Sequence, residues 1–257
     1  MCRLAAYLGP SISLARFLLA PRHGLTEQSY APREMREGHV NADGYGIGWR
    51  ADDGALARLT YSMPIWADHN LPTLARHMRA PLWVANVRSA TAGLANHPAN
   101  TQPYTGDGLL FLHNGYLADF PTLRARLRRA LSYDIECSIE GTTDSEYLFA
   151  LLRQVLTAAD FDVPEALRET ARKLSDEFGV ERGLLNIVVT DGERIHALRH
   201  AVGGPSPSLY FTTDDEEYPG AALIASEPLT EGPYWQTVPE HHILTVGGDK
   251  PAHLISL

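Results

Sequence analysis

The chain has 257 residues, a formal net charge of −9 at pH 7 and two cysteines. Its length allows a buried hydrophobic core, and its negative charge argues against nucleic acid or an anionic membrane as the main partner. The cysteines lack CxxC spacing and the eleven histidines lack metal-ligand spacing, so we expect no disulfide framework, no metal and no cofactor. Without a signal-peptide pattern or a long apolar run, the sequence predicts a cytoplasmic protein.

The first half of the chain consists mainly of short strand-like runs separated by Gly, Pro, Asn and Asp clusters. The predicted strands cover residues 3–8, 45–49, 55–61, 82–87 and 109–112. A helix is predicted over 119–131, with a proline near its start and leucines on one face. Thr143 and Glu146 have the capping-box spacing that opens a second helix, ahead of its apolar run 147–156, and a third helix is predicted over 164–178.

Strands return in the last third of the chain. They are predicted over 184–190, 194–200, 209–212, 222–225 and 242–246. Asp191-Gly192 between the first two is a strong hairpin signal. Strands, then helices, then strands predict an α+β fold of two sheets covered by helices, in one domain over residues 2–257. In this arrangement the first strand lies at the centre of its sheet, with Cys2 directly before its N-terminal end.

Cys2 directly follows the initiator methionine, which is normally removed when the next side chain is this small. Removal leaves a residue with both a thiol and a free α-amine, whose ordinary pKa values are about 8.5 and about 8. Because a thiol attacks acyl carbons as the thiolate, the amine is a candidate base for it. Any chain can carry cysteine at position 2, so this hypothesis depends on the other motifs.

Two segments offer charged groups for a substrate. Arg88 follows the apolar strand 82–87 and suits bidentate recognition of a carboxylate, with a surface arginine as the alternative. Asp144 lies in the first turn of a predicted helix, where it favours the helix dipole and is also able to meet a substrate ammonium. A cation for a carboxylate and an anion for an amine together indicate an α-amino acid.

Two further segments offer room and hydrogen-bond donors. In the run 41–49, glycines at alternating positions leave one strand face bare for a ligand, or form a turn into a flexible strand. The strand 109–112 delivers Asn114 and Gly115 at its tip, where a side-chain amide beside a glycine N–H makes an oxyanion hole. An Asn-Gly turn is the alternative. With a scissile carbonyl away from the amino-acid head group, a glutamyl side-chain amide fits as the substrate.

The combined motifs resemble those of class II glutamine amidotransferase domains, over about the first 155 residues. The motifs are Met1-Cys2-Arg3, Asn41-Ala42-Asp43-Gly44, Val87-Arg88-Ser89-Ala90-Thr91, His113-Asn114-Gly115 and Thr143-Asp144-Ser145-Glu146. Such domains are N-terminal nucleophile hydrolases with a four-layer αββα sandwich of two mainly antiparallel sheets. The resemblance implies that Cys2 is the nucleophile, that its α-amine is the base, and that Asn114 and Gly115 form the oxyanion hole.

The resemblance also implies which residues contact a small-molecule γ-glutamyl substrate. Arg88 would bind the α-carboxylate and Asp144 the α-amine, with Thr91 as a further substrate contact. The residues implied to shape the site are Asn41, Asp43, Gly44 and His113. From the residues alone, Tyr30, Trp66 and Tyr104 are aromatic candidates for a leaving-group pocket, with ordinary aromatic packing as the alternative.

Two departures from the family pattern bear on the substrate. Thr91-Ala92-Gly93 stands where many of these domains have Thr-His-Gly, and Asn100-Thr101-Gln102-Pro103 stands where they have Asn-x-His-Pro. Both weaken the case for glutamine itself but not for a γ-glutamyl group. Segments 29–33, 64–66 and 225–228 are similar to a stand-alone branch that removes glutamate from a γ-glutamyl-cysteine adduct of trimethylated histidine, in ergothioneine biosynthesis.

The leading hypothesis is therefore a stand-alone γ-glutamyl amide hydrolase that acts on a small cysteine-containing metabolite. The first alternative is a glutaminase subunit that passes ammonia to a separate synthetase partner. The second is a binding or regulatory protein with an inactive nucleophile site. The sequence does not distinguish a monomer from a homo-oligomer.

Overall fold

Two antiparallel sheets lie face to face, and helices cover the outer face of each. The computed structural model describes residues 1–35, 38, 40–90, 96–159, 162–248 and 251–257. One apolar core lies between the two sheets. A second lies between the first sheet and its helices, and a third lies between the second sheet and its helices. This is the four-layer αββα arrangement expected from the sequence.

The first sheet has seven strands among the described residues, in the order β11-β9-β10-β1-β4-β2-β3. Their bounds are β1 Arg3–Ser13, β2 Tyr45–Arg50, β3 Leu56–Tyr61, β4 Arg79–Val87, β9 Tyr210–Thr212, β10 Ala222–Ala225 and β11 Gln236–Thr237. Strand β1 therefore lies in the middle of this sheet, which confirms the central position predicted for it. The chain just ahead of β1 carries Cys2.

The second sheet has six strands in the described part of the chain, in the order β13-β12-β8-β7-β6-β5. Their bounds are β5 Tyr104–Gly106, β6 Leu109–Leu117, β7 Gly183–Thr190, β8 Arg194–Val202, β12 His242–Gly247 and β13 His253–Ser256. The predicted hairpin joins β7 to β8, and Gly192 has a φ of 94°, a conformation that favours glycine. Asp191 Oδ1 accepts from the backbone N–H of Arg194 and so closes this turn.

Short helices cover the first sheet and longer ones cover the second. The bounds are α1 Leu14–Leu18, α2 Leu25–Gln28, α3 Leu71–His77, α4 Phe120–Ala130, α5 Tyr133–Cys137, α6 Asp144–Ala159 and α7 Val163–Asp176. Alternation along each strand sends successive side chains to opposite faces. In β1, Leu4 and Ala6 pack between the sheets, whereas Ala5 and Tyr7 pack against the helices.

The structure differs from the sequence-based expectations in several places. The strand predicted over 109–112 continues to Leu117, so Asn114 lies inside β6 rather than at its tip or in a turn. The N–H of Glu146 donates to Thr143 Oγ1 as a cap, but the Glu146 carboxylate accepts from the N–H groups of residues 140 and 141. The box is therefore not reciprocal, because the preceding loop folds back over the carboxylate. The short helices α1, α2, α3 and α5 were not predicted, since each is seven residues or fewer.

No helix within the described ranges is long and apolar enough to cross a membrane.

Candidate active site

The thiol of Cys2 lies at the open end of the central strand of the first sheet. Continuing the alternation of β1, Cys2 falls on the same face as Leu4, which points between the sheets. Its Sγ is 3.9 Å from the carbonyl oxygen of Ser89, just beyond the end of β4. The side chain is partly exposed and forms no disulfide. A reactive group at this position is held by a rigid strand and remains accessible.

Asn114 reaches the strand of Cys2 from the opposite sheet. It is fully buried on the face of β6 that also carries Leu110 and Leu112 between the sheets. Its Nδ2 donates to Ser226 Oγ at 3.3 Å, and the same hydroxyl oxygen accepts from the N–H of Leu4 at 3.1 Å. One serine therefore connects the candidate oxyanion amide to the strand that begins beside the nucleophile.

The backbone N–H of Gly115 lies on an edge of β6 that has no neighbouring strand at this level. Successive residues of an antiparallel strand direct their N–H groups to opposite edges. The N–H of His113 donates to Gln102 Oε1, and the N–H of Leu117 donates to Asp144 Oδ2, both on the edge away from β7. Gly115 lies midway between them, and no acceptor for its N–H occurs in the described part of the chain. This donor is therefore available to a ligand.

Close packing explains why residue 115 is glycine. A Cβ atom at this position would lie 1.8 Å from the carbonyl oxygen of Leu184 and 2.6 Å from His113 Nε2. Either contact is far inside van der Waals distance, so any side chain would push β6 away from β7. The glycine therefore preserves the strand edge that presents its own N–H.

Arg88 is a buried cation without an anionic partner among the described residues. It follows β4, is 5% exposed, and exchanges backbone hydrogen bonds with residues 43 and 44. Its Nη1 donates to the carbonyl oxygen of Asp43 at 3.1 Å and to Asn96 Oδ1 at 3.4 Å, both uncharged acceptors. Because a buried charge is costly unless it is paired, this guanidinium is suited to receive an anionic group from a ligand. The surface alternative for Arg88 is wrong.

The segment 41–44 holds the turn that follows β4. Asp43 Oδ2 accepts from the N–H of Ala90 at 2.8 Å, so its carboxylate orders the backbone next to Arg88. Gly44 has a φ of 129°, and a Cβ there would lie 2.7 Å from the carbonyl oxygen of Tyr61. Asn41 is fully buried, its N–H donates to the Ser29 carbonyl oxygen at 2.6 Å, and its Oδ1 has no partner within the described residues.

Asp144 begins α6, as predicted, and its carboxylate faces the edge of β6. Oδ2 accepts from the N–H of Leu117 at 2.8 Å, and Oδ1 accepts from the N–H of Ser145 at 2.8 Å. No cation of the described chain pairs with it. Leu117 and Gly115 are two positions apart, which is about 7 Å along β6. An ammonium group held by Asp144 and an acceptor at the free N–H of Gly115 would therefore be separated by a distance of this order.

Tyr104 connects the two charged candidates. Burial raises the pKa of its hydroxyl, and among the smaller effects the Asp144 carboxylate raises this pKa while the Arg88 guanidinium lowers it. Tyr104 therefore lies within electrostatic range of both. Its ring is 3% exposed and its hydroxyl is hydrogen-bonded to Thr143, so it has no open face for a ligand.

His113 lies behind the site, on the face of β6 opposite to Asn114. Its Nε2 is 2.8 Å from the carbonyl oxygen of Leu184 and donates there, and its Nδ1 is 2.8 Å from Ser145 Oγ. Burial lowers the pKa of this imidazole, which favours the neutral ring, and in that form Nδ1 accepts from the Ser145 hydroxyl. His113 thus acts on the site through the start of α6, where Ser145 adjoins Asp144.

The residues that depart from the family pattern have structural partners here. Gln102 bonds to both backbone groups of His113, with its Nε2 donating to the His113 carbonyl oxygen at 2.9 Å. Asn100 Oδ1 accepts from the N–H of Thr142 at 2.8 Å and so ties this loop to the start of α6. The other departure, at 91–93, and the candidate substrate contact Thr91 lie outside the described residues.

Several residues near Cys2 were not given a role from the sequence. Asn86 on β4 is 1% exposed, and its Nδ2 donates to the carbonyl oxygen of Arg3 at 3.3 Å. On the other face of β1, the buried Arg3 pairs with Glu227 at 3.2 Å, and Glu227 also pairs with His23 at 2.6 Å. Burial would raise the pKa of Glu227, but these donors and two backbone N–H groups lower it overall. These residues lie on or beside three strands and one loop that are distant in sequence, so no local pattern could have identified the cluster.

The fold and the site agree with a known family. Residues 25–203 match the profile described as class II glutamine amidotransferases. This match covers more than half of the chain, so the protein belongs to the class II glutamine amidotransferase family and is an amidohydrolase by class.

Individual relatives extend the match to nearly the whole chain. The chain is 31% identical to the gamma-glutamyl-hercynylcysteine sulfoxide hydrolase of Mycolicibacterium smegmatis, over 99% of this chain and 98% of that protein. It is 30% identical to the probable glutamine amidotransferase DUG3 of Saccharomyces cerevisiae, over 96% of this chain and 82% of that protein. A solved class II domain protein from Silicibacter pomeroyi shares the fold, with a TM-score of 0.73 at 24% identity over 99% of both chains.

Proposed function

We propose that this protein is a stand-alone γ-glutamyl amide hydrolase with Cys2 as its nucleophile. The substrate we propose is a γ-glutamyl-cysteine adduct such as γ-glutamyl-hercynylcysteine sulfoxide, the compound in the name of the mycobacterial relative. The sequence carries Met1, so the proposal requires its removal to free the α-amine of Cys2. The thiol and the amine then belong to one residue, and the amine takes the thiol proton directly or through one water.

The observation that supports this proposal best is the pair of buried or half-buried charges without counter-ions. Arg88 and Asp144 make no ion pair within the described residues, and both lie within electrostatic range of Tyr104. An α-carboxylate at Arg88 and an α-ammonium at Asp144 supply the two missing partners. Along the edge of β6, the free N–H of Gly115 lies about 7 Å from the N–H of Leu117, which donates to the Asp144 carboxylate. This distance suits the side chain of a glutamyl group.

The acylation step follows from this placement. The Cys2 thiolate attacks the γ-carbonyl carbon, and a C–S bond forms as the carbonyl π-electrons move onto oxygen. The N–H of Gly115 and the amide of Asn114 donate to that oxyanion, a contribution of about 3 to 4 kcal/mol for one donor in a comparable hydrolase. The tetrahedral intermediate then expels the amine, which takes the proton held by the α-ammonium of Cys2.

The deacylation step uses the same groups. Water attacks the γ-glutamyl thioester and transfers a proton to the α-amine of Cys2. The C–S bond breaks, free glutamate leaves, and the Cys2 thiol is restored. Both products of the cycle, glutamate and the cysteine-containing amine, are released to solvent.

Two exposed aromatic rings favour a leaving group with a quaternary ammonium. Tyr30 and Trp66 are 50% and 43% exposed and meet edge to face, with ring centroids 5.9 Å apart. The residue next to Tyr30 accepts from the N–H of Asn41, and the loop before Trp66 accepts from Asn96, which contacts Arg88. These segments are thus tied to the loops that hold Arg88, and an aromatic pair there would offer cation–π attraction to the trimethylammonium of a hercynyl group.

The alternative function is a glutaminase subunit that delivers ammonia to a synthetase. The name of the yeast relative, probable glutamine amidotransferase, is consistent with this alternative. The exposed pair Tyr30 and Trp66 would in that case contact a synthetase partner rather than a leaving group.

The test is free glutamate released by Met1-processed protein, confirmed by intact mass. γ-Glutamyl-hercynylcysteine sulfoxide and glutamine are assayed side by side, each over a range of concentrations. We expect a much higher kcat/KM for the sulfoxide, no activity in Cys2→Ala, and full activity in Cys137→Ala, which removes the other, exposed cysteine.

Three results would contradict the proposal in different ways. A preference for glutamine would favour the glutaminase subunit. Full activity of Cys2→Ala would exclude this nucleophile. Equal activity of processed and Met1-retaining protein would exclude the α-amine as the base.

A further inference from the structure

Ser226 has an unusual position between the nucleophile strand and the candidate oxyanion amide. It is fully buried and follows β10 in the first sheet. Its Oγ accepts from the N–H of Leu4 at 3.1 Å and lies 3.3 Å from Asn114 Nδ2. Its backbone N–H also donates to the Leu4 carbonyl oxygen at 2.9 Å, so the serine is held against β1 at two points.

Hydrogen-bond accounting at this contact leaves two groups without partners. With Nδ2 donating to the serine, Asn114 Oδ1 is buried and has no partner in the described chain. The Ser226 hydroxyl then receives two N–H donors, and its own proton has no acceptor among the described residues. A buried acceptor and a buried hydroxyl proton left unpaired are both unfavourable. In this orientation, moreover, the unpaired Oδ1 of Asn114 would repel a developing oxyanion rather than stabilise it.

Turning the Asn114 amide by 180° about its Cβ–Cγ bond pairs the Ser226 hydroxyl proton with Asn114 Oδ1, because the oxygen and nitrogen exchange places with little change of shape. The groups left without a partner are then N–H donors, for which an oxyanion is the complementary acceptor. The Ser226 hydroxyl then donates to Asn114 Oδ1 while still accepting from the N–H of Leu4. Both N–H groups of Asn114 Nδ2 now occupy the position where Oδ1 was unpaired. The hydroxyl bond also polarises the amide and strengthens its N–H groups as donors.

We propose that Ser226 is a positioning residue that orients the Asn114 amide, with its N–H groups toward the oxyanion of the tetrahedral intermediate. This inference rests on the proposed function, because it assumes that Asn114 stabilises an oxyanion. It adds a specific role for a side chain that contacts no substrate. It also explains how an amide with two nearly isosteric orientations is kept in the productive one.

The test is a double-mutant cycle on processed enzyme with the substrate that it hydrolyses best. We expect Ser226→Ala to lower kcat about tenfold with little change in KM, since one hydrogen bond is lost and substrate binding is untouched. In an Asn114→Ala background, Ser226→Ala should have no further effect on kcat. Ser208→Ala is the matched control, since its hydroxyl donates only to the Ser226 carbonyl oxygen, at 2.9 Å, and kcat should not change.

A second pair of variants separates the hydroxyl from packing. Thr and Val have the same shape, so any steric effect of the added methyl group is shared by Ser226→Thr and Ser226→Val. The Thr variant should retain most of the kcat, and the Val variant should show the loss, at similar melting temperatures. Equal kcat values for Thr and Val would overturn the proposal.

The remaining outcomes distinguish this inference from the proposed function. If Asn114→Ala lowers kcat but Ser226→Ala does not, only the role of Ser226 fails. If the losses in kcat multiply in the double variant, Ser226 acts through β1 rather than through Asn114, and the proposal is again wrong. If Asn114→Ala retains full activity, the oxyanion role itself fails and the inference fails with it.

Discussion

Two stretches of the layer between the sheets differ sharply in chemistry. The middle is apolar and close-packed, with Leu4, Ala6, Leu82, Val84, Leu110, Leu112 and Val188 all essentially buried. Toward the Cys2 end, the same faces of β4, β6 and β7 carry Asn86, Asn114 and Asn186. Each of these asparagines is buried, and each has an Oδ1 without a partner in the described chain.

This difference separates stability from function along a single layer. Burying a methylene group stabilises a fold by about 0.8 kcal/mol, whereas leaving a buried polar group unpaired costs about 1 to 3 kcal/mol. The apolar stretch therefore holds the sheets together, and the polar stretch weakens them. Unpaired amide groups beside a thiol are expected where their partner is a ligand or a reaction intermediate.

Replacing Asn114 should have the largest effect on activity. We expect Asn114→Ala to lower kcat by about 10² to 10³, because it removes an oxyanion donor. The free energy of unfolding should fall by only about 1 kcal/mol, the net value of one hydrogen bond. Steady-state kinetics and urea unfolding measure the two effects. A large loss of stability with unchanged kcat would place Asn114 with the structural residues.

Leu112 is the matched control on the same strand and the same face. Leu112→Ala should lower the free energy of unfolding by about 2 to 5 kcal/mol, since it leaves a cavity between the sheets. The kcat of the remaining folded protein should not change, because no group of the site is removed. Urea unfolding combined with active-site titration measures both quantities. A fall in kcat per active site would show that the two stretches are coupled.

A buried polar residue with its partner in place should affect stability alone. His196 on β8 is 4% exposed and its Nδ1 is 2.9 Å from Thr245 Oγ1, away from Cys2. Burial lowers the pKa of His196 from its ordinary value of 6.5 to about 4. Above pH 6.5 this residue is neutral in both states. Below that pH the unfolded chain takes up a proton that the folded protein refuses, so the free energy of unfolding decreases as the pH falls.

The slope of that decrease is about 1.4 kcal/mol per pH unit, and the total between pH 6.5 and pH 4 is about 3 kcal/mol. Urea unfolding at several pH values measures it, and His196→Leu should remove this part of the slope. Unchanged pH dependence in the variant would mean that His196 is charged in the folded protein. The kcat at pH 7.5 should be the same in both proteins.

The smallest expected effect concerns the rim of the site. Trp66→Ala should raise KM for a substrate with a quaternary ammonium by about twofold to thirtyfold, from the loss of a cation–π contact. Trp66→Phe keeps an aromatic face and should show a smaller change. KM for glutamine, which has no such group, should stay constant in both variants. An equal rise in KM for both substrates would mean that Trp66 shapes the site but does not contact the quaternary ammonium of the leaving group.

Much of the fold could be predicted because its signals are local. Short apolar runs bounded by turn residues indicated β1, β4 and β7, and the Asp191-Gly192 pair indicated the hairpin between β7 and β8. The strand of Asn114 was predicted too short, because its last residues have polar and glycine side chains. On the edge away from β7, the N–H groups of His113 and Leu117 donate to the side chains of Gln102 and Asp144 instead of to a neighbouring strand. When side chains from distant segments accept the hydrogen bonds of a strand edge, the sequence of the strand itself carries no sign of it.

The sequence by itself determined which chemical groups are present: a thiol at position 2, an amide beside a glycine, and one arginine and one aspartate at element ends. Only the tertiary structure decided their partners. It buried Arg88 without a counter-ion in the described chain, left the Gly115 N–H on an open edge, and joined Asn114 to Ser226 across 112 positions. The physical reason is that sheet packing, not local pattern, sets which distant side chains meet and which stay unpaired.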